Sequence, residues 1–60
     1  MGNRALKKRI ASLRRLIAEH QAKIAIELAR ARPDSGLIRH WQTEIEAFQT
    51  GVDRALKRLG

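Results

Sequence analysis

Arg32-Pro33-Asp34-Ser35-Gly36 lies just past the midpoint of a 60-residue chain and divides it into two helical segments. Pro33 cannot continue a helix, because its ring removes an N–H and clashes with the preceding turn, and it drives Arg32 out of helical geometry. Asp34 or Ser35 then offers the side-chain oxygen that caps a new helix, and Leu37 opens the next apolar stripe. The linker so read is about three or four residues, a length that makes helices antiparallel neighbours. One long bent helix is the competing reading, but a proline without cap chemistry beside it would suit that better. The expected fold is all-α: an antiparallel two-helix hairpin over about residues 4–31 and 35–59, with the turn at 32–36, forming a single domain over 1–60.

Upstream of the turn, apolar residues recur at Leu6, Ile10, Leu13, Ile17, Ile24 and Leu28, with Gln21 in the one gap. The steps are those of one helical face. No proline or glycine interrupts the segment, alanine is frequent, and Asn3 can cap its start. At 1.5 Å per residue the helix is about 40 Å long. His20 and Gln21 bring polar atoms to the middle of the apolar face. Either both sit at the edge of the core and reach solvent, or one is buried and fixes register, as polar residues do in coiled coils. A second row, Ala11, Ala18, Ala22, Ala25 and Ala29, is small enough to let another helix approach.

Downstream, the stripe is Ile38, Trp41, Ile45, Phe48, Val52, Leu56 and Leu59. Folding at the turn sets Leu28 against Trp41, Ile24 against Ile45, Gln21 against Phe48, Ile17 against Val52, Leu13 against Leu56 and Ile10 against Leu59. Two independently read stripes therefore register at equal heights. Gly51 lies inside this helix at a cost of about 0.5–1 kcal/mol relative to alanine, and with Ala47 and Ala55 it makes a row of small residues.

A chain of this size buries only about 60% of its unfolded surface, and such folds usually add disulfides, a metal or a partner. The sequence has no cysteine, and two histidines far apart in sequence make a poor zinc site, so no metal or cofactor is expected. Self-association remains. A two-fold homodimer forming a four-helix bundle is expected, with Leu16, Ala18, Ala22, Ala25, Ala29, Ala47, Gly51 and Ala55 at the interface.

Thirteen Lys and Arg against six Asp and Glu give a net charge of +7, and the excess is unevenly placed. Arg4, Lys7, Lys8, Arg9, Arg14 and Arg15 crowd the start of the first helix, and Arg54, Lys57 and Arg58 the end of the second, with only Asp53 opposing them. In a hairpin those are one end, opposite the turn. Glu19, Glu27, Glu44 and Glu46 lie in the middle, where Glu19 and Glu27 flank Lys23 at helical spacing. A cationic pole suits a phosphate backbone, since the arginine fork can hold a phosphate through two hydrogen bonds. There is no base-reading motif and no run of aromatics for stacking, so recognition would rest on shape and charge. A structural or adaptor module that binds protein partners through helix packing is the alternative.

Other classes fit less well. No Gly-rich phosphate loop, clustered carboxylates or nucleophile beside a base is present, which argues against an enzyme. His40 and Glu44 share a helix face but read as surface decoration. No apolar run approaches the roughly 18 residues of a membrane span, and the basic amphipathic stretch from Arg4 to Ile17 already commits its apolar face to the hairpin. With no apolar leader segment, a cytoplasmic location is expected. In its helix–turn–helix outline the chain resembles the Rop-type RNA-binding hairpins, short two-helix chains that dimerise into four-helix bundles. The resemblance covers outline alone and assigns no residue a role.

Overall fold

The computed structural model describes residues 3–60 as two helices, α1 (Asn3–Leu28) and α2 (Ser35–Leu59), packed against each other along their length. Ile10 of α1 is buried with Val52 and Ala55 of α2, and Leu6, Leu13, Ile17 and Leu59 pack around that cluster. Toward the other end, His20 of α1 meets Glu44 and Phe48 of α2. The start of α1 thus lies beside the end of α2, as an antiparallel hairpin requires.

Asn3 already lies within the first turn of α1, so it does not cap that helix. The connection departs from expectation too. α1 ends at Leu28, three residues short of the predicted Ala31, and residues 29–34 form the link. Glu27 accounts for the early stop. Its carboxylate is buried and accepts the backbone N–H of Asp34 at 2.9 Å and an Arg30 guanidinium N–H at 3.2 Å. The chain is drawn back over the end of α1, whose last turn tightens as Ala29 N–H is shared between Ala25 and Ile26 carbonyls and Arg30 N–H reaches Glu27. Asp34 is the N-cap of α2: its backbone is extended (φ −85°, ψ 103°) and its Oδ1 accepts Leu37 N–H at 3.1 Å. In a capping box the third residue of the new helix accepts the cap's own N–H. That position is Leu37 here, and Glu27 of the preceding helix does the job instead.

The seam also corrects the predicted stripes. The α1 residues that turn inward are Leu6, Ile10, Leu13, Ile17, His20, Ile24 and Glu27, while Gln21 and Leu28 are exposed, Leu28 to 59%. On α2 they are Ile38, Trp41, Ile45, Phe48, Val52, Ala55 and Leu59, and Leu56 is 43% exposed. Both series step by alternating threes and fours, the seven-residue repeat that keeps one face of a helix against a partner for many turns. The predicted stripes took two successive steps of four, at Gln21 in α1 and Leu56 in α2, and drifted off the seam. The expected layers Leu28–Trp41, Gln21–Phe48 and Leu13–Leu56 are therefore replaced. His20 now meets Phe48 edge to face, ring centroids 5.2 Å apart.

The result is one layer of helix, 50 × 14 × 12 Å, with a radius of gyration of 14.1 Å. A compact 60-residue domain would have about 10 Å. Its accessible surface is 4942 Å², where a compact monomer of 6.8 kDa exposes about 4,000 Å². Leu16, Ile26, Leu28, Leu37 and Leu56 contribute to that excess.

Candidate nucleic-acid interface

All nine basic residues predicted for the cationic pole, Arg4, Lys7, Lys8, Arg9, Arg14, Arg15, Arg54, Lys57 and Arg58, are exposed, and the antiparallel seam brings their two clusters to the open end. Among the described residues the salt bridges are His20–Glu44, His40–Glu44 and Arg30–Glu27, so none of the nine is held by a carboxylate. Asp53, the one acid in their midst, accepts the Gln49 side-chain amide at 3.1 Å instead. Neither Glu19 nor Glu27 pairs with Lys23 as their spacing suggested.

The two clusters stand in opposite relations to their own helices. Lys57 and Arg58 occupy the last turn of α2, where cations complement the helix dipole, and Gly60 N–H closes that end on the Leu56 carbonyl at 3.0 Å. Arg4 lies in the described first turn of α1, which carries no acid, and Lys7, Lys8 and Arg9 follow in the next. Cations there oppose the dipole, at a cost of some 0.3–1 kcal/mol each when close to the terminus. Fold stability alone would place Asp or Glu in that first turn.

Three of the nine converge. Arg9 from α1 and Arg54 and Arg58 from α2 line one open groove with Leu6, Gly51 and Ala55. Gly51 and Ala55 add almost no bulk to its wall. A Cβ built on Gly51 would stand 3.1 Å from Leu13 Cδ1, and Ala55 is 3% exposed. Gly51 and Ala55 therefore belong to the hairpin's own seam and not to a face offered to a second hairpin, which corrects their predicted place in an oligomer interface. Leu16, Ala18, Ala22, Ala25, Ala29 and Ala47 are exposed.

A second polar cluster sits midway along the seam. His20 Nδ1–H donates to the Leu16 carbonyl at 2.8 Å, and Nε2–H donates to Glu44 Oε2 at 2.9 Å. His40, one turn before Glu44 on α2, donates Nε2–H to the other carboxylate oxygen. The hydrogen bond from His20 is the main cause that holds the Glu44 carboxyl below its ordinary range, against the opposing effect of desolvation; the charges of His40, His20 and Lys23 act in the same downward direction. His20 is thus the buried polar residue of the two offered by the sequence, and Gln21 the exposed one. His40 stays exposed on α2, as expected of a surface residue, while Glu44 also reaches across the seam to His20. Among the described residues no group of three or more His, Cys, Asp or Glu is arranged to hold a metal ion.

Comparisons with family models, curated proteins and solved structures gave no match to this chain. The likeness to Rop-type hairpins stays one of outline. None of the described helices is long and apolar enough to cross a membrane.

Proposed function

We propose that this chain is a self-pairing helical hairpin that binds a nucleic-acid backbone, without reading its sequence, through the cationic open end. The observation that carries the reading is the set of nine exposed cations at that end, free of carboxylate partners among the described residues and in part seated where the α1 dipole disfavours them. Positive charge kept against local stability is compensated when an anion arrives, and an α-helix start with its free N–H groups favours an anion as well. A cytoplasmic setting is part of the proposal, since it supplies the partner.

Self-pairing rests on the surface excess. The hairpin exposes about 1,000 Å² more than a compact chain of its mass, comparable to the roughly 800 Å² that each partner buries in a standard interface. A two-fold dimer covering an exposed flank of the hairpin, such as the one that carries Leu16, would form the expected four-helix bundle. Sedimentation equilibrium at micromolar concentration is expected to give a dimer, and a stable folded monomer would remove this part of the proposal.

Nucleic-acid binding is tested by charge reversal at Arg14, Arg15, Lys57 and Arg58. The wild-type chain is expected to retard a labelled duplex at about 50 mM salt, and the reversed chain to lose that shift while keeping its helical circular-dichroism spectrum. A shift retained after reversal would contradict the assignment to the pole. Binding of a protein partner that ignores the basic end but is lost on enlarging the exposed alanines would favour the adaptor role.

A further inference from the structure

We propose that Arg9, Arg54 and Arg58 form a discrete seat for backbone phosphate, distinct in mechanism from the diffuse attraction of the other six cations; this rests on the nucleic-acid reading above. Arg54 and Arg58 are one turn apart on α2 and share a face. Arg9 reaches the same groove from α1, so the three are delivered by two helices held in fixed register by the Ile10–Val52–Ala55 core directly beneath.

Three properties separate this groove from the rest of the pole. Its cations are all arginine, whose planar fork grips a phosphate through paired hydrogen bonds, whereas the lysines at 7, 8 and 57 offer only point charges. Its floor includes Leu6 and Ala55, which keep water from one side of a bound anion, where hydrogen bonds and charge interactions are stronger than in bulk water. Its wall includes Gly51. A helix-interior glycine is less favourable than alanine by about 1 kcal/mol, yet a Cβ here would stand 3.1 Å from Leu13 Cδ1, so glycine lets Leu13 pack close against α2 beside the groove.

Arginine-to-lysine exchange tests the seat, because it keeps charge and removes the fork. Anisotropy of a labelled duplex is measured over a salt series for Arg9→Lys, Arg54→Lys and Arg58→Lys, with Arg14→Lys and Arg15→Lys as matched controls from the same pole. All five positions are exposed, so helicity should be unchanged. Each groove variant is expected to lose about tenfold in affinity, the equivalent of one charge-assisted hydrogen bond, with its salt slope preserved because the charge count is the same. The controls should stay within about twofold, as point charges suffice there. Equal small losses at all five positions would overturn the seat and leave the pole as a diffuse charge. No duplex binding by the wild-type chain would overturn the seat and the parent reading together. Discrimination between groove and control variants on anionic phospholipid vesicles but not on duplex would reassign the site to a membrane headgroup and overturn the proposal.

Discussion

Replacing Ile10 by alanine is expected to leave the chain largely unfolded in dilute buffer at room temperature. Ile10 is 7% exposed and is the one large α1 side chain fully within the core, where it meets Val52 and Ala55. Truncating a buried isoleucine costs about 2–5 kcal/mol, and a core of this size rarely supplies more than about 3–5 kcal/mol in all. The loss therefore matches the whole stability of the hairpin. Leu56→Ala is the control: at 43% exposure it should cost at most about 1 kcal/mol. Ellipticity at 222 nm against urea separates the two. Comparable losses would mean that Leu56 faces the seam and that the seven-residue repeat is wrong.

Glu27→Ala is expected to lower stability by about 1.5–2 kcal/mol, a large share of the total. The value does not sit in the ion pair. The Arg30 side chain is 64% exposed, and pairs of that kind contribute little in water. It sits in the bond from Asp34 N–H, which starts α2 and would be left without its partner at the turn. Glu27→Gln keeps an acceptor oxygen there and should recover more than half of the loss. The readout is the urea midpoint at constant slope. Equal losses for Gln and Ala would show that the negative charge, and not the cap bond, is what matters.

Ile10 lies where the sequence placed it, in the seam, whereas Leu56 and Glu27 do not, and for those two the reason is the same. The hairpin itself was legible, because Pro33 bars one continuous helix and Asp34 caps a new one, and no tertiary knowledge is needed to see it. The facing side chains depend on whether a helix follows its own period of 3.6 or the 3.5 imposed by a partner. The two agree near Leu6–Ile17 and part at His20/Gln21 and Glu27/Leu28. There hydrophobicity favours Leu28 over Glu27, and only the reversal of the chain shows that Glu27 has a backbone N–H to meet. His20 is similarly opaque until Glu44 arrives from the other helix. At the open end, the count of charges was enough to find the pole. It could not single out Arg9, Arg54 and Arg58, whose convergence depends on the register of the two helices.

Salt dependence of duplex binding by the wild-type chain tests the central claim most directly. If the open end holds a phosphate backbone, log K falls linearly with log salt by about 0.9 for each phosphate neutralised, and the three groove arginines alone set a slope steeper than roughly −2.5. Binding that is absent at about 50 mM salt, or present with a slope near zero, would contradict the account.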